Sequence, residues 1–159
     1  MRVSGFTFIR NAIHYDYPIV EAIHSILPLC DEVVVAVGNS TDGTLALIQA
    51  INDPKIKIIE TLWDDSLREG GRVLAVETDK ALAAVDPQSD WCIYIQGDEV
   101  LHEEGYDTIK AAMLCYQHNP EIDGLLLKYR HFYGSYDYIG TSAKWYKNEI
   151  RIVKNRKDI

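Results

Sequence analysis

The chain has 159 residues, of which 47% are hydrophobic and 25% charged, and a formal net charge of −8. This is the size and balance of one water-soluble domain with a sizeable core. The negative charge argues against a nucleic-acid backbone as main partner, and no apolar run is long enough to span a bilayer. The start of the chain lacks the apolar segment of a signal peptide. Three cysteines, Cys30, Cys92 and Cys115, occur without a CxxC spacing. They read as buried free thiols of a reducing compartment. The expectation is a cytoplasmic protein, with docking at the cytoplasmic membrane face left open.

Val3 to Ile9 predicts a first strand. Pro18 suits a first helical turn, and Ile19, Ala22, Ile23, Ile26, Leu27 and Cys30 continue it as one apolar stripe. Val33 to Val37 is β-branched and apolar on both faces, as in a central parallel strand. The loop GNSTDG, Gly38 to Gly43, leads to a short helix through Leu45, Ile48 and Ile51. Lys55 to Leu62 predicts a third strand and Trp63 to Gly71 a polar loop. Leu74, Thr78, Ala81, Leu82 and Val85 predict the face of the next helix. Trp91 to Ile95 is a fourth strand. Tyr106, Ile109, Met113 and Tyr116 stripe another helix, and Gly124 to Tyr129 is a fifth strand. Alternation of strands and helices with short loops implies βαβ units on a mostly parallel sheet. The expected fold class is therefore α/β, a three-layer α/β/α domain spanning 1–159. After Tyr129 the chain turns aromatic and polar. EIRIVKNRKDI then resembles a strand with no visible partner, as if the domain were truncated on its C-terminal side.

In an open α/β sheet, ligands bind beyond the carboxyl ends of the strands. Three such ends carry chemistry. The first ends in Arg10-Asn11, the second in Gly38 to Thr44, and the fourth, WCIYIQGDEV, in Asp98-Glu99. The second loop offers two glycines and helix amides to an anion or a base edge. A capped turn, with Asp42 or Thr44 as the cap, accounts for the same residues. Asp98 and Glu99 supply the oxygens a hard divalent cation wants, and Gly97 keeps the approach open. A solvated Glu99 beside a capping Asp98 is the plainer alternative.

DEVVVAVGNSTDGT, FIRNA and WCIYIQGDEV together resemble the family 2 glycosyltransferases of the GT-A fold, in order and spacing, from Val3 to about Tyr129. GGRVLAVETDKAL sits where that family has a helix bearing donor-site residues. The resemblance implies a GT-A domain, Rossmann-like, that moves a sugar from a nucleotide-diphosphate sugar, such as a UDP-sugar, to an acceptor hydroxyl with inversion. It implies Mg²⁺ or Mn²⁺ held by Asp98 and Glu99. It places Arg10, Asn11, Asn39, Asp42, Arg72, Asp79, Gln96 and Gly97 around the donor. The leading acid of the family's Asp-x-Asp motif is Gln96 here, which brings no charge. The acids that precede the STDGT element in the family are Val37 and Gly38. The general base is expected beyond Ile159, with Asp137 a weaker candidate. The acceptor, whether glycan, lipid-linked or protein, stays open.

Two other readings compete. A non-catalytic nucleotide-sugar-binding or interaction module on the same fold would explain Gln96. Nucleotidyl transfer expects a glycine-rich basic loop after the first strand, and FIRNAIHYDYP has no glycine. No GxGxxG follows that strand either, which argues against a dinucleotide dehydrogenase.

Overall fold

The structure, a computed structural model, describes residues 1–67 and 69–156. The expected alternation forms: β1 (Val3–Ile9), α1 (Ile19–Ile26), β2 (Glu32–Val37), α2 (Thr44–Gln49), β3 (Ile56–Glu60), α3 (Arg72–Ala83), β4 (Trp91–Tyr94), α4 (Tyr106–Tyr116) and β5 (Gly124–Lys128). Three further strands follow: β6 (Phe132–Tyr133), β7 (Ser135–Ile139) and β8 (Asn148–Lys154). The central sheet has the order β3-β2-β1-β4-β8-β5, and β6 and β7 form a separate two-stranded hairpin.

β1 to β4 are mutually parallel, with Thr7 opposite Val35 and Phe6 opposite Tyr94. β8 runs antiparallel between β4 and β5. The C-terminal segment that the sequence left without a partner is thus an interior strand. The sequence cannot show this, because the partners of β8 lie 20 or more residues upstream. Alternation then divides the core. Ile9, Val33, Val35, Trp91, Ile93 and Ile152 pack with α1, α2 and α4 on one face. Phe6, Val34, Ala36 and Cys92 pack under α3 on the other.

Three expectations need correction. The α1 stripe ends at Ile26, because Pro28 cannot continue the α-helical ladder and the chain tightens into a 3-10 turn over Leu27–Leu29. The buried face of α3 runs through Val73, Glu77 and Ala81, while Leu74 is exposed. Apolar periodicity misses that register because its middle member is an acid. Glu77 is fully buried and can be so because Thr61 Oγ1 donates to it at 2.5 Å and Lys80 Nζ at 2.6 Å. Cys30 and Cys92 are buried, and burial pushes both thiols up to about 12; Cys115 is exposed.

β1 carries Gly5 where the core leaves no room for a side chain. A Cβ there would lie 2.7 Å from Ile26 Cδ1 and 3.1 Å from both Cys30 Sγ and Val33 Cγ2, in a region closed to solvent. Gly5→Val is expected to overpack this site and lower stability by about 1–3 kcal/mol. Urea unfolding checks this: the midpoint should fall at unchanged slope.

Candidate functional site

The strand order reverses between β1 and β4: β2 and β3 lie to one side of β1, and β4, β8 and β5 to the other. Such a switch point opens a crevice at the carboxyl edge of an α/β sheet. The loops after β1, β2, β3 and β4 all leave from that edge. Because β5 also runs parallel to β4, with β8 between them, segment 129–147 leaves from it as well.

The loops after β1 and β2 are laced together. Asn11, in the left-handed region at φ 54°, donates its N–H to Ser40 Oγ at 3.0 Å and accepts from the Thr41 N–H at 2.8 Å. Asparagine tolerates that backbone through its short polar side chain. Asp42 accepts from the His14 N–H at 2.8 Å, the Thr44 N–H at 3.1 Å and the Thr44 hydroxyl at 2.6 Å. Thr44 Oγ1 accepts in turn from the Ala12 N–H at 2.8 Å. Burial alone would raise the Asp42 carboxyl, but these bonds outweigh it and hold it below the usual range. The STDGT turn is therefore a clasp. Gly43, at φ 82°, is the N-cap and supplies the bend, and the Asp42 carboxylate receives the first N–H of α2.

Beside the clasp stands an aromatic platform that the sequence reading missed. Trp63 lies over Gly38, where any Cβ would collide with the indole. The Trp63 backbone N–H donates to Asn39 Oδ1 at 3.2 Å. Phe8 packs 5.8 Å from the ring. The Arg10 guanidinium sits 5.6 Å from the Trp63 ring centre and donates to Asp65 at 2.8 Å. Glu77, bonded to Thr61 and through Lys80 to the Leu62 carbonyl, anchors the strand end that carries Trp63. The visible signal was the isolated Trp63 immediately after a strand-length run, opposite a glycine at the end of β2.

The turn after β4 separates its two acids. Glu99 points inward. Its Oε2 accepts from Arg151 Nε at 2.9 Å and from the Gln96 N–H at 3.0 Å. Its Oε1 accepts from Arg151 Nη2 at 2.6 Å and from the Tyr129 hydroxyl. Arg151 is flanked by the rings of Tyr94 at 5.3 Å and Tyr129 at 5.2 Å. Only 10% of the Arg151 side chain and 12% of the Glu99 side chain are exposed. Burial pulls the Glu99 carboxyl upward, but the fork of Arg151 and the Tyr129 hydroxyl overcome this and leave it below its usual value. Asp98 faces solvent and has no partner among the described residues. Gly97 is buried, and a Cβ there would lie 2.7 Å from Ile9 Cδ1. The expected Asp98–Glu99 ligand pair thus divides: Glu99 is engaged by Arg151, and Asp98 is open.

Among the described residues no three His, Cys, Asp or Glu side chains converge into a metal cage. Mg²⁺ commonly uses one or two carboxylates with substrate phosphates supplying further ligands, and an open Asp98 fits that mode. The other expected residues are distributed as follows. Arg10, Asn11, Asn39, Asp42, Gln96 and Gly97 come together at the carboxyl edge. Arg72 opens α3, exposed. Asp79 is exposed two turns further along the helix, roughly 10 Å down its axis. Asp137 is exposed on β7, with its N–H donating to Ser135 Oγ. The region beyond Ile159, where the general base was expected, lies outside the described residues.

No protein family matches the chain by sequence, and neither does any curated protein. Solved structures do resemble it. S. aureus TarS 1–349 in complex with UDP superposes with a TM-score of 0.55 at 21% identity, over 73% of this chain and 33% of that one. Its complex with UDP-GlcNAc gives 0.54 at 20% identity. Glucosyl-3-phosphoglycerate synthase from Mycobacterium tuberculosis, in complex with Mn²⁺, UDP and phosphoglyceric acid, gives 0.50 at 20%, over 80% of this chain and 42% of that one. The 4-diphosphocytidyl-2C-methyl-D-erythritol synthase of Anaerococcus prevotii DSM 20548 gives 0.54 at 13%, over 97% and 70%. The chain has the GT-A, Rossmann-like fold of nucleotide-sugar transferases. It spans about a third of the length of the TarS chains it resembles. No helix among the described residues is long and apolar enough to cross a membrane.

Removing either partner of the Glu99–Arg151 pair leaves a buried charge alone, so Arg151→Met is expected to cost about 3–5 kcal/mol. Glu99 also sets a pH dependence. Its folded carboxyl binds its proton at lower pH than the unfolded one, so its contribution is complete above about pH 4.3 and fades as pH falls through the lower folded value. Urea unfolding between pH 3 and 7 should show a smaller loss on acidification in Glu99→Gln than in the natural chain. Equal slopes would mean the pair is not formed.

Proposed function

We propose that this chain is the donor-binding part of a metal-dependent glycosyltransferase, moving a sugar from a nucleotide-diphosphate sugar to an acceptor hydroxyl with inversion. The observation that carries the reading is the exposed, unpartnered Asp98 at the switch point of a GT-A sheet, held outward because its neighbour Glu99 is held inward. A Mg²⁺ or Mn²⁺ ion shared by Asp98 and the donor diphosphate would neutralise charge as the diphosphate departs. The Trp63 indole and the Arg10 guanidinium offer the base and ribose a flat, cationic platform. Asn11 and Asn39 hold the loops that border it. Gln96 borders the same crevice as a neutral hydrogen-bonding group, and Arg72 adds a cation at the head of α3. Asp42 acts through the clasp, keeping those loops in register. Asp79, two turns further down α3 from Arg72, is left out of the donor contacts.

In the transfer, the acceptor oxygen forms a bond to the anomeric carbon on the face opposite the diphosphate. The bond from that carbon to the phosphate oxygen breaks, and its electron pair leaves with the diphosphate. The acceptor proton passes to a carboxylate base. Asp137, on the hairpin at the same edge, is one candidate, and a carboxylate beyond Ile159 is the other. The fold alone also accommodates a nucleotide-sugar-binding module without turnover. The resemblance to the A. prevotii synthase brings nucleotidyl transfer into view, but the loop after β1 has no glycines with which to wrap a triphosphate.

Thermal denaturation with UDP, GDP and CDP, each with and without Mn²⁺, tests the reading. One nucleotide with Mn²⁺, at about 100 times its Kd, should stabilise by about 2.7 kcal/mol, a rise of roughly 5–10 °C. Asp98→Asn should abolish the metal-dependent part of that rise. A rise that is the same in Asp98→Asn removes the metal role. Nucleotide-sugar turnover then separates a transferase from a binding module: release of the diphosphate, lost in Asp98→Asn, is the expected result.

A further inference from the structure

A second concavity lies outside the donor crevice. It is a cleft of about 690 Å³ between the β6–β7 hairpin and the segment that follows it. This volume falls within the range of small-ligand sites. Three aromatic rings, Tyr133, Tyr138 and Trp145, line it together with the hydroxyls of Ser135, Thr141 and Ser142, and none of its lining residues is charged. The fold seats its main ring deliberately. A Cβ at Gly140 would lie 2.6 Å from Trp145 Nε1, so the indole can lie against that backbone only because residue 140 is glycine.

The cleft is joined to the turn that carries Asp98. The Tyr129 hydroxyl donates to Glu99, and the Tyr129 ring lies 5.6 Å from His131. His131 stacks on Trp145 at 4.8 Å. Tyr146, edge-on to His131 at 4.5 Å, is raised by burial first and then by Glu99, and Asp98 is among the charges it feels. An unbroken run of rings therefore leads from the acidic turn to the cleft.

We propose that this cleft binds a neutral carbohydrate, with Tyr138 and Trp145 as the stacking faces. A pyranose presents flat C–H faces to aromatic rings and hydroxyls at its rim, which is what this lining complements. A phosphate-bearing polymer calls for cations, and an acyl chain has no use for three hydroxyls. Calling the carbohydrate the acceptor rests on the sugar-transfer reading; its binding does not.

Saturation-transfer NMR on the 159-residue chain, with diacetylchitobiose, cellobiose and maltose as probes, tests the site. At least one disaccharide should bind, and its signal should fall roughly tenfold or more in Trp145→Ala and in Tyr138→Ser. Tyr138 is 69% exposed, so its variant keeps the test valid if Trp145→Ala loses its fold. Silence with all three sugars overturns the proposal. So does equal binding by Tyr138→Ser, or binding only to glycerol phosphate or to phosphatidylcholine vesicles in parallel samples. The response to UDP with Mn²⁺, read in the same samples, reports separately on the donor site. Its loss with disaccharide binding intact would remove the transferase reading and leave the carbohydrate site standing.

Discussion

The two-pronged bond between Arg151 and Glu99 is the constraint on which the ligand edge depends. It ties the turn after β4 to β8, and through Tyr129 to the end of β5. Both ions are largely withdrawn from water, so their desolvation offsets much of their attraction, and net stability is a poor reason for the pair. Geometry is a better one. A guanidinium presents a rigid fork that matches a carboxylate, and here two tyrosine rings hold it in plane. With Glu99 drawn inward, and its N–H closing the turn on the Gln96 carbonyl at 3.1 Å, Asp98 at the tip of that turn faces solvent. One residue is spent so that its neighbour points at solvent in a fixed place.

The platform over β2 shows a second economy. Where the resemblance leads one to expect acids that grip a base through hydrogen bonds, the chain has Gly38, and an indole occupies the space. An acid reads one edge of a base; a ring receives any base by its face. On the proposed reading, a crevice built this way is less exclusive than an acidic pair would make it. The polar groups around the ring are Asn39, which holds the Trp63 backbone, and Arg10, which lies over its face. Glu77, buried beneath, holds the strand end that presents it.

Much of this was legible in the residues. The parallel half of the sheet follows from Val33 to Val37 and Trp91 to Ile95, whose composition is that of strands covered on both faces. The loaded strand ends follow from Arg10-Asn11, the STDGT turn and Asp98. What stayed hidden shares one cause: it depends on partners distant in sequence. Arg151 reads as an ordinary cation in an alternating strand until β8 is placed 52 residues from Glu99. Glu77 reads as a surface acid because only Thr61 and Lys80 make its burial tolerable. The division of labour between Asp98 and Glu99 follows from Arg151 and was hidden with it.

The insertion of β8 also fixes an order of assembly. β3, β2, β1 and β4 can pair with one another as soon as each is made, because the contacts among these four lie upstream of residue 95. β5 has no such freedom. Among the described residues its sheet partner is β8 alone, which leaves the ribosome twenty residues after it. Until then β5 and the hairpin beyond it hang from a half-built sheet, and Glu99 waits without its counter-ion. The acidic turn is therefore the last part of the edge to take its shape, and the nascent chain cannot present a finished ligand site before the strand that closes the sheet is itself complete.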